Sequence, residues 1–259
     1  MYTLIGDIGN TVTKICLTDN KNYIIKKIFS LESNKININK YLKLKFNKII
    51  GKNKINKFAL FSSVVTKHEI LIKNFIKKIY NLELIEIKNR RISKIIKINI
   101  KNKKQVGSDR IANAVSVYKK YKKDCIVLDF GTATTFDVVT KRGSYIGGVI
   151  APGVNLSIKS LSNSADQIPF FSFKKIKKVV GKNTIEALYA GFYWGYVGLI
   201  NNIILKIEKE THKKYKILFS GGHADLFKTS IVRSITVDKN ITINGIIEIL
   251  KHNRNYLIK

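Results

Sequence analysis

The sequence predicts an α/β protein made of two related halves. Three observations carry this: one turn pattern occurs twice, each copy follows a short apolar run, and strand-rich openings give way to helices in both halves. The first copy reads Asp7-Ile8-Gly9-Asn10-Thr11-Val12-Thr13 and the second Asp129-Phe130-Gly131-Thr132-Ala133-Thr134-Thr135. One Asp-x-Gly turn is ordinary hairpin punctuation, because Gly supplies positive φ and Asp caps its own turn. Two copies, each followed by a Thr-rich β-like segment, point instead to a duplicated domain gripping one polyphosphate from both sides. Glycine admits an anion close to the backbone, the hydroxyls and amides that follow donate to it, and the aspartate holds a cation or its water.

Taken in order, residues 2–5, 12–17 and 23–29 read as strands separated by turn signals at Gly9-Asn10 and 19–22. The polar stretch 33–56 holds a helix, 57–65 is a buried-looking strand, and 67–80 places Ile70, Leu71, Phe75 and Ile79 at helical spacing. A strand at 82–87 follows. The basic, irregular segment 88–104 puts the domain boundary near 101–107, giving domains 1–106 and 107–259. Ser108 reads as the N-cap of a helix from Asp109 to about Tyr121. The second half repeats the plan with strands at 125–129, 134–139 and 145–150 and a helix starting near Gly153. A long helix follows at about 183–209, then a strand at 216–220 and the turn Gly221-Gly222.

A chain of 259 residues with 45% hydrophobic content buries a real core and is long enough for two modest domains. No run approaches the roughly 18 apolar residues that cross a bilayer; the best, 190–205, is broken by glycines and by Asn201-Asn202. The sequence opens directly on a strand and the Asp7 turn, with no room for a removable signal segment, so a cytoplasmic location without a membrane partner is expected. Cys16 and Cys125 fall in predicted strands, where free cysteine behaves as a small hydrophobe. Neither they nor His68, His212, His223 and His252 stand at metal-ligand spacing, so no disulfide and no zinc site are expected. The formal charge of +31 comes from 48 Lys and Arg against 17 Asp and Glu. It is spread along the chain among Ile and Asn, as AT-rich codon usage would produce. No helix concentrates arginine with aromatics, so no specific nucleic-acid partner is expected, only salt-sensitive stickiness.

The standard phosphate loops are missing. Gly181-Lys182 is followed by Asn183, which breaks G-x-x-x-x-G-K-[ST], and no strand leads into G-x-G-x-x-G. ATP, if bound, must use the twin turns and Gly221-Gly222, whose bare backbone would let a flat nucleoside approach. A tight turn explains that glycine pair equally well. Gly191, Gly195 and Gly198 each cost about 1 kcal/mol within one helix. They suggest close approach of another backbone, at a dimer interface or inside the domain.

Asp7 to Lys14, Gly107-Ser108-Asp109-Arg110, Asp129 to Thr135, Gly147 to Gly153, Gly181-Lys182-Asn183-Thr184 and Ser220-Gly221-Gly222, taken together and in this order, resemble the motifs of type III pantothenate kinases. They cover nearly the whole chain. That family belongs to the actin-like (ribonuclease H-like), sugar-kinase-like ATPase superfamily, so the resemblance implies duplicated domains with ATP in a central cleft. It further implies phosphorylation of pantothenate to 4'-phosphopantothenate, the first step of coenzyme A synthesis. A homodimer would do this using K+ or NH4+, with Mg2+ accompanying the nucleotide.

Carried over by position, the resemblance makes Asp7, Ile8, Gly9, Asn10, Thr11, Val12, Thr13 and Lys14 the first phosphate loop and Thr132 a second ATP contact. Gly107, Ser108, Asp109, Arg110 and Thr184 would bind pantothenate, Asp109 would accept the proton, and Asp129 would hold the monovalent cation. Each has a plainer alternative: Lys14 as one more solvated lysine, Asp109 as a first-turn acid favourable to the helix dipole, Thr184 as a cap or first-turn hydroxyl. Ile100 stands where the family usually has a substrate-contacting tyrosine, and Lys103 where proline is usual, so that contact is lost or replaced. Two rival functions remain on the same fold: a kinase of another small alcohol or sugar, and a basic, nucleic-acid-associated regulator.

Overall fold

Strand β1 (Tyr2–Ile8) is buried at four consecutive residues, a pattern that requires cover on both faces. The structure, a computed structural model describing residues 1–257, supplies that cover. β1 is the middle strand of a sheet with β2 (Val12–Asp19), β3 (Ile25–Glu32), β4 (Ile55–Ser63) and β5 (Glu83–Glu86), in the order β3-β2-β1-β4-β5. The β1–β2 and β2–β3 pairs are antiparallel, whereas β1–β4 and β4–β5 are parallel. Helix α1 (Asn39–Ile50) contributes Leu42, Phe46 and Ile49 to the core, and α2 (Thr66–Tyr80) contributes Ile72, Phe75 and Ile76. The α2 stripe differs from the expected one, for Ile70 and Ile79 are exposed. Ile72, Phe75 and Ile76 make the tighter i, i+3, i+4 contact that a sheet-facing helix uses.

A short β6 (Lys97–Ile98) pairs in parallel with Ser144 and Tyr145. Helix α3 (Ser108–Tyr121) then begins one residue before the expected start, and Gly107, not Ser108, is its N-cap.

The second set of elements is β7 (Cys125–Phe130), β8 (Ala133–Val139), β9 (Ser144–Pro152), α4 (Val154–Ser164), α5 (Thr184–Thr211), β10 (Lys216–Gly221), α6 (Ala224–Lys228) and β11 (Ile235–Val237). Its strand order, β9-β8-β7-β10-β11, repeats that of the first sheet, with β6 as an additional strand beyond β9. β7–β8 is antiparallel like β1–β2, and β7–β10 and β10–β11 are parallel like β1–β4 and β4–β5. The duplication read from two short turns is therefore a duplication of whole sheets. Helix α5 buries Tyr193, Tyr196, Val197, Ile200, Ile204 and Ile207, a 3.6-period stripe laid on this sheet. Phe130, Phe219 and Phe227 pack with Tyr193 and Tyr196 at its centre.

The chain ends in α7 (Ile241–His252) and a short α8 (Arg254–Leu257). α7 packs on α3 and on β1 and β4. By contact the chain thus divides into one unit of 1–122 with 142–145 and everything from Asn240, and another of 123–141 with 146–239. This grouping runs differently from the sequence boundary at 106/107, because the α3–α7 packing ties both helices to the first sheet. Cys16 and Cys125 are free and buried in β2 and β7, and burial pushes both thiols up to about 12. Among the described residues no helix is long and apolar enough to cross a membrane.

The α3–α7 contact depends on Gly245, where a Cβ would lie 1.9 Å from the carbonyl oxygen of Ala112. Gly245→Ala is expected to destabilise the protein by about 1–3 kcal/mol through overpacking that outweighs alanine's helix preference. A urea midpoint unchanged or raised in that variant would show that the two helices are not in backbone contact.

Candidate active site

Asp7 lies at the end of β1, and the pairing that fixes its strand also fixes its neighbours. Asp7 is opposite Lys14 on β2 and level with Ser62 on β4. Residues paired across strands share a face of the sheet, so the carboxylate has an ammonium on one side and a hydroxyl on the other. The tip of the hairpin is exposed at Asn10, Thr11 and Val12. Gly9 is required there, since a Cβ would come within 2.7 Å of the Val12 carbonyl oxygen. Ser33 braces the tip: its hydroxyl donates to the Gly9 carbonyl at 2.8 Å, and its amide donates to the Thr11 carbonyl at 3.0 Å. Ile8 and Thr13 are wholly buried, and the Thr13 hydroxyl pairs with that of Ser33 at 3.1 Å. Of the eight expected residues, these two thus support the loop from inside with their side chains.

In the second unit Asp129 repeats the position of Asp7. Its paired neighbours are Thr135 on β8 and Ser220 on β10. Here the face carries only oxygen-bearing side chains, with threonine where the first copy has Lys14. The tip, Gly131 and the exposed Thr132, rests on bare backbone. Gly153 donates its amide to the Thr132 carbonyl at 3.1 Å, and a Cβ at Gly153 would lie 2.3 Å from that same oxygen. Gly222 donates to the Phe130 carbonyl at 3.0 Å, and Gly221, with φ of +86°, would place a Cβ 2.4 Å from it. Three glycine-bearing segments therefore meet: the β7–β8 tip, the start of α4, and the end of β10. The start of α4 has no side-chain cap. Beside it, His223 Nε2 is 3.2 Å from Asn155 Oδ1, and burial pushes the imidazole below its ordinary value.

Gly107 to Arg110 forms the start of α3 in the first unit. The Ser108 hydroxyl is buried, accepts from the Ser63 amide at 2.8 Å and donates to the Ser63 carbonyl at 2.6 Å. This pins α3 to the end of β4, the strand beside Asp7. Gly107 leaves room for the acid two residues on, as a Cβ there would lie 2.5 Å from Asp109 Oδ1. That oxygen accepts the Arg110 amide at 2.7 Å. Burial pushes the Asp109 carboxyl above its ordinary value, and the Arg110 amide, the Arg110 guanidinium and Lys88 pull it partly back. The Arg110 guanidinium stands 5.8 Å from the centre of the Tyr145 ring.

Thr184 is the first residue of α5. It does not cap the helix: Asn183 Oδ1 accepts the Glu186 amide at 2.9 Å, and Glu186 Oε2 accepts the Lys182 amide at 3.0 Å. Thr184 is exposed and lines an apolar groove of about 580 Å3 with Pro152, Gly191, Gly195 and Tyr196. No atom of a neighbouring element lies within 4 Å of a Cβ placed at Gly191, Gly195 or Gly198. Packing inside the unit therefore does not account for these three glycines.

Sequence reasoning missed Ser33, Ser62, Ser63, Asn155 and His223. For the serines it had no local signal, because each acts through a partner far along the chain. For Asn155 and His223 a signal existed, as each lies within two residues of a glycine motif. Among the described residues, no cluster of three or more His, Cys, Asp or Glu side chains could hold a metal ion.

A family model described as type III pantothenate kinase matches residues 3–206. A protein of that name from Pelagibacter ubique (strain HTCC1062) is 50% identical over 244 residues, 94% of this chain and 96% of that protein. In fold the chain is similar to the activator of 2-hydroxyisocaproyl-CoA dehydratase from Clostridium difficile, solved with ADPNP bound, with a TM-score of 0.55 and 11% identity over 100% of this chain and 96% of that one. It is also similar to an inorganic polyphosphate/ATP-glucomannokinase from Arthrobacter sp. strain KM, with a TM-score of 0.50 and 10% identity over 98% and 99%.

Ser108→Ala is expected to destabilise the protein by about 1–3 kcal/mol, because it strips the partners from two partly buried Ser63 backbone groups. A urea titration showing no loss would mean that the Ser108 hydroxyl is not the pin.

Proposed function

The chain belongs to the type III pantothenate kinase family and is an ATP-dependent kinase of pantothenate; we propose that Asp109 accepts the proton and that Asp7 to Lys14, with Thr132, contact ATP. The observation that carries the ATP assignment is the meeting of bare backbone at Gly131-Thr132, Gly153 and Gly221-Gly222. The Gly131, Gly153 and Gly222 amides are themselves bonded to the carbonyls of Ala133, Thr132 and Phe130, so what this packing supplies is room for a phosphate with no side chain to obstruct it, beside the uncapped start of α4. At the first hairpin the exposed tip amides and Lys14 supply the same chemistry, the lysine as a point charge.

The pantothenate hydroxyl attacks the γ-phosphorus, the new O–P bond forms as the bond to ADP breaks, and the hydroxyl proton passes to Asp109. A carboxyl raised by burial is a better acceptor than an exposed one, which favours Asp109 in this role. Arg110 next to it suits the carboxylate of pantothenate, with Gly107 and Thr184 as further contacts and Ser108 holding the segment in place through Ser63. Most of the rate comes from alignment and charge stabilisation, as phosphoryl transfer requires little covalent help.

The two acids differ in a way that divides their tasks. Asp7 pairs across the strands with Lys14, whereas Asp129 pairs with Thr135 and Ser220, and by its place in the family motif Asp129 is the one assigned to K+ or NH4+. A hard monovalent cation fits oxygen donors of this kind, and Mg2+ would be held largely by the nucleotide's own phosphates. We assign the open glycine face of α5 to a second copy of the chain, forming a homodimer, and place the enzyme in the cytoplasm. From its twin turns the chain is read as two halves, 1–106 and 107–259.

Asp109→Asn is expected to lower kcat by about 10²- to 10⁴-fold with ATP affinity nearly intact, measured as pantothenate-dependent ADP release beside an ATP titration. Near-wild-type turnover would remove Asp109 from the role of base. In the wild type, kcat/KM should fall as pH drops through the raised Asp109 pKa, because only the ionised carboxylate accepts a proton. That acid limb should therefore lie above the usual carboxylate range; a limb at or below it would contradict the assignment. Omitting K+ and NH4+ should depress turnover in the same assay.

A further inference from the structure

Lys88 lies two residues beyond β5 and belongs to none of the motifs read from the sequence. Its ammonium donates to the Lys104 carbonyl at 3.2 Å and to the Val106 carbonyl at 3.0 Å. Those carbonyls belong to the segment that leads directly into Gly107 and the Asp109 turn. Its own amide is held in turn, donating to Glu86 Oε2 at 2.6 Å. The turn bearing Asp109 is thus fixed from two directions: by Ser108 against Ser63, and by Lys88 against the residues just before Gly107.

Carbonyl bonds use the directional capacity of an ammonium without cancelling its charge. Lys88 has no carboxylate within ion-pair distance among the described residues. Its charge acts on both Glu86 and Asp109 and favours the ionised form of each. Two cations bear on Asp109: Arg110, from its own helix, and Lys88, from the β5 side. Glu86 faces Lys88 and Ser108, with Glu69 of α2 the other acid acting on it; burial pushes the Glu86 carboxyl up, while the Lys88 amide and the Ser108 hydroxyl pull it back.

We propose that Lys88 is a positioning residue of the kinase, clamping the 104–106 segment by its two carbonyl bonds so that the Asp109 carboxylate is held in place and ionised. This rests on the reading of Asp109 as base. It explains why a lysine rather than a neutral donor occupies the position: the clamp needs donors, and the base gains a nearby positive charge, which Lys88 supplies to Glu86 and Asp109 together.

The test compares full-length Lys88→Met, Lys88→Arg and, as a control for lost charge in a highly basic chain, Lys40→Met on α1. Lys88→Met is expected to lower kcat about 10- to 100-fold, the scale of a misplaced catalytic group, and to move the acid limb of kcat/KM to higher pH. Lys88→Arg should restore most of the rate and the limb, and Lys40→Met should change neither. A Lys88→Met enzyme with wild-type kcat and an unmoved limb would overturn the proposal. So would loss of rate with an unmoved limb and a lowered melting temperature, which a purely structural lysine would give. To separate this from the reading it rests on, the Asp109 carboxyl is also titrated by carbon NMR in substrate-free wild type and Lys88→Met. A titration displaced to higher pH in the variant supports the proposal whatever the acceptor substrate proves to be, and coincident curves overturn it. An inactive wild type with pantothenate, or an active Asp109→Asn, would sink the base assignment alone.

Discussion

Backbone running against backbone, with glycine as the only residue that fits, is the constraint on which this molecule depends. At Gly153 and Gly221 a single added carbon would fall 2.3 and 2.4 Å from carbonyl oxygens of the β7–β8 tip. At Gly9 the corresponding distance is 2.7 Å, within the first hairpin itself. Chains this close bond their own glycine amides to neighbouring carbonyls and leave no side chain above them, and in the proposed reading that open backbone is what admits a phosphate without a Walker-type loop. The same rule operates away from the chemistry, where Gly245 lets α7 lie on α3 and so binds the end of the chain to its first sheet.

Duplication produced two acids in equivalent places, and cross-strand pairing then made them unequal. Asp7 and Asp129 share a strand end, a glycine two residues on, and a serine on the parallel neighbour, Ser62 in one copy and Ser220 in the other. The antiparallel neighbour differs, Lys14 against Thr135. This exchange of a cation for a hydroxyl beside otherwise equivalent acids is the asymmetry behind the proposed division of labour. Around Asp109 the logic is burial, not duplication. The carboxyl is shielded enough to be raised, yet Gly107 gives it space and the Arg110 amide a partner.

Local signals made much of this legible in the sequence. The hairpins at Asp7 and Asp129 and helices α2, α4 and α5 followed from turn chemistry and apolar period, and the family motifs pointed to the same segments. Distant partners made the remainder illegible. Nothing near Ser33 says that it braces Gly9, and nothing near Ser108 says that its hydroxyl is spent on Ser63 and not on capping α3. The buried stripe of α2 was misread because Ile70 and Ile79 also fit a helical period, and only the sheet decides which face is inward. Helix α7 was not read at all, although Asn244, Glu248 and Lys251 mark a polar face at helical spacing; its isoleucine-rich remainder is covered by α3, β1 and β4. Lys88 escaped notice among 48 basic residues because its task is defined by two carbonyls 16 and 18 positions away.

Amide chemical shifts of the labelled protein, followed while Mg2+-ATP is added, bear most directly on the claim that exposed backbone holds the nucleotide. The largest changes are expected at Gly9 to Thr11, Gly131-Thr132, Gly153 to Asn155 and Gly221 to His223. Saturable binding that leaves these amides unmoved and perturbs another surface would contradict it.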